Sequence, residues 1–147
     1  MIIKNSNTKK GFTLIELLMV IAIIIILATI VMISVKEATD RAKNTKIVTG
    51  MVQVRKLSED LYLQESDGYT SLCASGVLND SYSSAMQILH ADIVSHSGAE
   101  PTCYSSSASY CSSSILFDGD WFCVDDNGVP EKVSTGNPCV DADSTCK

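Results

Sequence analysis

Residues 9–35 read KKGFTLIELLMVIAIIIILATIVMISV, and this stretch decides how the rest of the chain is organised. Two lysines and a glycine precede a long apolar run in which Glu16 is the one charged residue. A run of about 18 or more apolar residues is long enough to cross a bilayer as a helix. We therefore expect residues 12–35 to form a single membrane-spanning helix.

Glu16 is the unusual member of this run. A carboxylate in a membrane span costs about 2.5–3.5 kcal/mol at the centre of the bilayer, and less near an end. The position of Glu16 therefore predicts a partner of opposite charge. The simpler alternative is that its side chain reaches out to the lipid headgroups.

The run is too long for an ordinary secretory signal, whose apolar core spans about 7–15 residues before a cleavage site of small residues. Three lysines precede the run and four basic residues follow it by Lys46, so the flanking charge leaves the orientation open. The cysteines decide it, because disulfides form in oxidising compartments. All six cysteines follow the span, so the C-terminal part is expected outside the cytoplasm.

The cysteines are even in number, and no Cys-x2-Cys spacing of a zinc site occurs among them. Six cysteines allow many pairings, and sequence alone does not choose among them. The last two enclose only a short loop, so Cys139–Cys146 is the first disulfide that we expect. Cys73–Cys103 and Cys111–Cys123 then remain.

The charge is unevenly distributed along the chain. The net charge is −6, and residues 72–147 carry ten acidic residues against Lys132 and Lys147. Nucleic-acid phosphates are bound by lysine and arginine. The acidic C-terminal part is therefore expected not to bind nucleic acid.

The segment KKGFTLIELL resembles the class III signal peptide of type IV pilins and of type II secretion pseudopilins. The resemblance implies that a prepilin peptidase cleaves between Gly11 and Phe12 and that Phe12 is then N-methylated. It also implies that Phe12 and Glu16 act in assembly, with the Glu16 carboxylate pairing with the N-terminal amine of a neighbouring subunit. The family's helix often contains a glycine and a proline, which are absent here between Phe12 and Thr49, so a stiffer helix is expected.

Helical periodicity continues beyond the span. Ile47, Met51, Val54, Leu57 and Leu61 recur at helical spacing and predict one core-facing stripe. The Asp67–Gly68 pair is a plausible end of this helix. The expected organisation is a leader peptide over 1–11, a long helix over 12–67 and a cysteine-rich globular head over 68–147.

The head shows one helical and several strand signals. Helical spacing over 79–95 predicts a short helix capped by Asn79 or Asp80. Two apolar runs, 115–117 and 121–124, flank Asp118-Gly119-Asp120 and predict a hairpin, with an edge strand over 129–134. The expected fold is α+β, with a small disulfide-stapled antiparallel sheet on the long helix, and the family resemblance implies a pilin ladle.

The head shows no catalytic set, so we expect neither an enzyme nor a cofactor. His90 is expected to be a partly exposed residue without a chemical role. Serines 105–107 and 112–114 are expected to form polar loops, with O-glycosylation of these serines as the alternative. Calcium is the alternative for the acidic residues, since it takes carboxylate ligands; they are Asp118, Asp120, Asp125, Asp126, Asp141 and Asp143.

These features predict a prepilin, the structural subunit of a type IV pilus or pilus-like filament. The alternatives are a type II secretion pseudopilin, a DNA-uptake pilin and, from another class, a membrane-anchored binding module. The expected partners are the prepilin peptidase, other copies of the chain in a helical filament, the inner-membrane assembly machinery and membrane lipid. The expected location is the cell membrane, single-pass with the head extracytoplasmic, and then a surface pilus or periplasmic pseudopilus.

Overall fold

The computed structural model describes residues 11–128, 130–134, 136–142 and 145–146. The chain forms two compact units, one ending at Ala38 and one beginning at Thr39. Helix α1 (Leu14–Gln64) contributes to both, and its bounds lie within three residues of those expected. The predicted leader falls outside the described residues except for Gly11.

The first unit is the apolar part of α1. All of its described side chains are exposed, and an 18-residue window of the helix has a mean hydropathy of 3.2. Among the described residues, α1 is the one helix long and apolar enough to cross a membrane. The fold thus leaves this apolar surface for a lipid or protein environment.

Two hydroxyl groups lie within the apolar run, and both are satisfied by the helix itself. The Thr29 hydroxyl donates to the Ile26 carbonyl at 2.7 Å, and the Ser34 hydroxyl donates to the Ile30 carbonyl at 3.2 Å. Such bonds remove the cost of placing a hydroxyl in an apolar environment. Glu16 is therefore the group in the run whose placement still needs an explanation.

The second unit combines the C-terminal part of α1 with a second helix and a six-stranded antiparallel sheet in chain order. The strands are β1 (Cys73–Ala74), β2 (Val77–Leu78), β3 (Thr102–Ser105), β4 (Tyr110–Ile115), β5 (Trp121–Asp125) and β6 (Glu131–Val133), and α2 (Ser84–Ser97) lies between β2 and β3. Each strand is thus hydrogen-bonded to its neighbour in sequence. The α+β prediction is confirmed.

The core lies between the helices and one face of this sheet. The α1 residues Ile47, Met51, Val54 and Leu61 are fully buried there, as their spacing predicted. They belong to one cluster with Met86 and Ile93 of α2 and with Cys103, Tyr110, Phe122 and Val124 of the strands. The amphipathic half of α1 is therefore the helix on which the head is built.

The strand prediction needs two corrections. Strand β4 covers 110–115, so most of it is the serine-rich segment that carried no strand signal. Leu116 and Phe117 lie outside the strand, where the Phe117 N–H donates to Asn44 Oδ1 at 2.7 Å and Lys43 lies 4.1 Å from the Phe117 ring centroid. Contacts with α1 therefore hold the start of the hairpin turn.

The cap of α2 also differs from the prediction. Ser83 is the N-cap, and its side chain accepts a hydrogen bond from the Met86 N–H at 3.1 Å. Asn79 instead organises the preceding turn, where its side chain accepts from the Ser81 N–H and donates to the Ser71 carbonyl.

Replacing Ser83 with alanine is expected to lower the free energy of unfolding of the head by about 1 kcal/mol, because one N–H at the start of α2 loses its acceptor. The measurement is denaturant unfolding of the oxidised protein in detergent. Ser81→Ala is the matched control, since among the described residues the Ser81 hydroxyl bonds only its exposed neighbour Asp80. An equal loss in both variants would contradict the capping role.

Candidate processing and assembly site

The start of α1 forms a reciprocal cap between Thr13 and Glu16. The Thr13 N–H and hydroxyl both donate to Glu16 Oε2, at 2.9 and 2.7 Å. The Glu16 N–H donates back to the Thr13 hydroxyl oxygen at 3.4 Å. This is a capping box, in which the N-cap hydroxyl and the acidic side chain three residues later satisfy two N–H groups that the helix leaves unpaired.

The expected cleavage position lies directly outside this cap. Gly11 and Phe12 precede the helix and are exposed, and apart from its chain neighbours no described residue lies within 4 Å of the place where a side chain on Gly11 would begin. The peptide bond between them is thus accessible in the single chain. The Glu16 side chain is held one turn away from it.

Glu16 keeps the capacity to accept another donor. A carboxylate can accept about four hydrogen bonds. Both donors that reach it among the described residues bind the same oxygen, Oε2. The capping box therefore orients the carboxylate and leaves room for a cation from outside the chain.

Replacing Thr13 with valine is expected to lower the free energy of opening the first turn of α1 by about 1 kcal/mol, because the side-chain shape is kept and the capping hydroxyl is lost. Amide hydrogen exchange of the full chain in detergent measures this as faster exchange in the first turn. Thr13→Ser keeps the hydroxyl and should exchange as the parent protein does. Unchanged protection in the valine variant would contradict the capping box.

The three disulfides correct part of the sequence prediction. Cys73 is joined to Cys103, as expected. The other two bonds are Cys111–Cys139 and Cys123–Cys146, so the predicted pairs Cys139–Cys146 and Cys111–Cys123 are wrong. Each cysteine of the C-terminal tail, whose described residues are 136–142 and 145–146, is bonded to a different strand.

The path of the tail explains this pairing. Cys111 and Cys123 point to the face of the sheet opposite the core, since side chains alternate along β4 and β5. Tyr110 and Phe122, their sequence neighbours, belong to the core cluster, whereas the four cysteines of these two bonds form a cluster of their own. The tail therefore covers the second face of the sheet.

Two polar side chains hold the tail on that face. The Asn137 amide accepts from the Ser113 hydroxyl at 2.6 Å and donates to the Thr102 hydroxyl at 2.9 Å. The buried Asp125 carboxylate accepts from the Cys146 N–H at 2.9 Å. The tail is thus fixed by both covalent and hydrogen bonds.

Comparison with known proteins bears on the N-terminal segment directly. Residues 6–32 match the family model described as the prokaryotic N-terminal methylation motif. The N-terminal segment therefore carries this methylation motif. The match covers the expected cleavage position, Phe12 and Glu16, and it ends within the apolar run.

The chain is also similar to a pilus protein over part of its length. Over 62 residues the chain is 44% identical to the type IV wide pilus major component PilA4 of Thermus thermophilus. The match covers 42% of the present chain and 47% of PilA4, so the chain spans about half the length of that relative. No solved structure matches the chain.

Thr13 is the site residue that the sequence prediction missed in this pilin-like chain. Its signal was present, because a threonine three residues before an acidic residue at the start of an apolar run is the spacing of a capping box. The tail contacts of Asn137 and Asp125 had no comparable local signal.

Three of the acidic residues considered for calcium, Asp118, Asp120 and Asp125, have partners within the chain. The Lys132 ammonium lies 2.7 Å from both Asp118 and Asp120. The Lys132 hydrogen bond lowers the pKa of Asp118, and Asp118 followed by Asp120 raises the pKa of Lys132. Asp125 binds the tail, whereas Asp143 lies outside the described residues.

The structure also shows the surroundings of the histidines and of the two serine runs of the head. His90 Nε2 lies 2.5 Å from the Glu100 carboxylate, and His96 lies 3.5 Å from Asp92 on the same helix. Ser112, Ser113 and Ser114 are buried in β4, so this serine run is not a surface loop. Of the other run, Ser105 ends β3, and Ser106 and Ser107 lie in the turn between β3 and β4.

Proposed function

We propose that the chain is a prepilin, the structural subunit of a type IV pilus or pilus-like filament, which is cleaved between Gly11 and Phe12. The observation that carries this proposal is the capped, exposed start of an apolar helix within the matched methylation motif. The similarity to a major pilus component favours a structural over a catalytic role.

Before assembly, the apolar part of α1 anchors the chain in the inner membrane, with the disulfide-bonded head on the extracytoplasmic side. The prepilin peptidase removes residues 1–11 and methylates the new amine of Phe12. The assembly machinery then transfers the helix from lipid to a filament. The exposed apolar surface serves in both states, because lipid and neighbouring helices both cover it.

Within the filament, the Phe12 amine of one subunit pairs with the Glu16 carboxylate of another. A buried charge is tolerated when an opposite charge compensates it. Such a pair forms at one axial offset of the helices, so it sets their register, as a single polar residue does in a coiled coil. The capping box assists by holding the carboxylate at the end of the helix.

Isolation of surface filaments from cells that make the chain, followed by mass spectrometry of their main protein, tests this function. We expect the mature chain to be the main component. Its presence only in a periplasmic assembly would favour the pseudopilin alternative. Its complete recovery as a membrane-bound monomer would favour a membrane-anchored binding module.

A further inference from the structure

An apolar groove lies between the two helices of the head. It has a volume of about 380 Å³ and is lined by Gln53, Lys56 and Leu57 of α1 and by Ala85, Ile88 and Leu89 of α2. Ile88 is 68% exposed, although it lines the same groove as the half-buried Leu57 and Leu89. The groove is thus an apolar surface that the chain itself leaves uncovered.

Two charges stand at the edge of this groove without a partner in the chain. Lys56 is exposed, and no ion pair or hydrogen bond reaches its ammonium among the described residues. Asp60, one turn further along α1, is also exposed and likewise has no partner in the described part of the chain. With the base before the acid, this spacing of four residues is the weaker order for an ion pair within one helix. Both charges are therefore available to a second molecule.

Leu63 places an apolar side chain beside Asp60. It is 82% exposed near the end of α1 and does not line the groove. It follows Asp60 by three residues, so the two side chains are neighbours on the helix surface. At about 100° per residue, Leu63 points about 120° away from Leu57 around α1. Asp60 and Leu63 thus form a second surface, apolar beside negative, that faces another direction than the groove.

We propose that the groove between α1 and α2 binds the surface formed by Asp60 and Leu63 of a second copy of this chain. Leu63 packs in the groove beside Ile88, and Asp60 pairs with Lys56. This inference rests on the proposed function and names a head-to-head contact within the filament. A contact between two different surfaces of identical subunits is heterologous and repeats without closing, which produces an open-ended assembly.

The contact requires a shift between the two copies along α1. Residue 56 of the copy that offers the groove lies level with residues 60–63 of its neighbour, which is a displacement of about 6–10 Å at 1.5 Å per residue. The proposed charge pair joins Phe12 of one copy to Glu16 of another, so it requires a shift of the same sign. The copy that offers its amine is therefore the copy that offers its groove.

The contact is too small to hold two free heads together, since stable interfaces bury about 1,200–2,000 Å² in total. It contributes only when the N-terminal helices already hold neighbouring heads at a high effective concentration. The groove therefore adds register and specificity to an assembly that the apolar helices produce.

Photo-crosslinking of the full chain in assembling cells tests the contact. The crosslinker p-benzoylphenylalanine replaces Ile88, and the covalent dimer is isolated on a gel, reduced and cleaved after glutamate. Cleavage after Glu59 and Glu65 releases residues 60–65 as one short peptide, separate from the peptide that carries position 88. We expect the Ile88 adduct in the dimer to join residues 60–65 of the second copy. The same crosslinker at Tyr104, which is 37% exposed on β3 outside the groove, should not do so.

The reciprocal substitution keeps the test valid if the Ile88 variant does not assemble. The crosslinker then replaces Leu63, whose side chain is exposed and whose loss leaves the core intact. Its adduct in the dimer should join the peptide that ends at Glu59 or the one that begins at Ser66, because these two carry the groove residues.

Charge exchange provides the second arm. Lys56→Glu or Asp60→Lys in all copies should each lower the yield of the Ile88 dimer about fivefold. Lys46→Glu adds an acid to an exposed position of the same helix away from the groove and should leave the yield unchanged.

A mixture of two variants separates a contact between copies from one within a chain. The copy with the crosslinker carries Lys56→Glu, and the other copy carries Asp60→Lys. The yield of the dimer between them should return to that of the unaltered chain, since the pair is restored only across the interface. A yield that stays low in the mixture would contradict the pairing of these two residues.

Two further outcomes would overturn the inference. Filaments that form while the Ile88 and Leu63 adducts lie on another protein, on other segments of the chain or nowhere would reject the groove and leave the filament function intact. Absence of filaments from the unaltered chain would reject the filament function and the groove with it.

Discussion

Gly68→Ala is expected to lower the free energy of unfolding of the head by about 3 kcal/mol. Gly68 has φ 65°, a left-handed conformation that residues with a side chain adopt at a cost. A Cβ at this position would lie 1.8 Å from the carbonyl oxygen of Ser107. The end of α1 would therefore separate from the turn between β3 and β4.

Gly119→Ala is the matched control for this substitution. Gly119 also has a positive φ of 88°, but apart from its chain neighbours no described residue lies within 4 Å of the place of its Cβ. Gly119→Ala should lower the free energy of unfolding by only about 1 kcal/mol, which is the cost of placing an alanine in the left-handed conformation. Fluorescence of Trp121, the single tryptophan, reports unfolding in denaturant. Similar losses in the two variants would contradict the close approach of Gly68 to Ser107.

Glu16→Ala is expected to lower the yield of filaments about 100-fold while cleavage after Gly11 continues. If the proposed charge pair forms, the variant leaves the Phe12 amine of each subunit without its partner in an apolar surrounding, at a cost of about 3–5 kcal/mol. Quantification of sheared surface filaments, beside a gel that resolves precursor from mature chain, measures both effects.

Glu16→Gln separates the charge of this residue from its role in the cap. A glutamine still accepts hydrogen bonds from Thr13, so the helix start is kept and only the negative charge is lost. We expect it to assemble as poorly as the alanine variant. Normal filaments from the glutamine variant would remove the proposed charge pair and leave Glu16 a capping residue.

The long helix was predictable because its signals are local. The apolar run gave the span, the spacing from Ile47 to Leu61 gave the buried stripe, and Gly68 marked the end within a few residues. The hairpin around Gly119 was predictable for the same reason, because the turn residues stand between two apolar runs. Patterns of this kind do not depend on the rest of the fold.

Strand β4 was not predictable from its own residues. Serine has no strong preference for strands, and Ser112, Ser113 and Ser114 give no alternation of apolar and polar residues. They are buried because the helices cover one face of the sheet and the tail covers the other. That burial depends on contacts distant in sequence.

The disulfide prediction failed for a related reason. Nearness in sequence favoured Cys139–Cys146, but the tail crosses two strands and meets a different cysteine on each. Cys123 Sγ lies only 3.7 Å from Cys111 Sγ and 3.6 Å from Cys139 Sγ, although neither is its partner. The pairing therefore follows from the path of the tail and not from loop length.

The N-terminal mass of the mature chain tests the central claim most directly. The chain is recovered from membranes and filaments, digested and analysed by mass spectrometry, with a Gly11→Val variant as the control for blocked processing. The account predicts a first peptide that begins at Phe12 and is heavier by one methyl substitution, and an uncut precursor in the variant. A chain that begins at Met1 in the unaltered protein, or one cleaved after the apolar run, would contradict it.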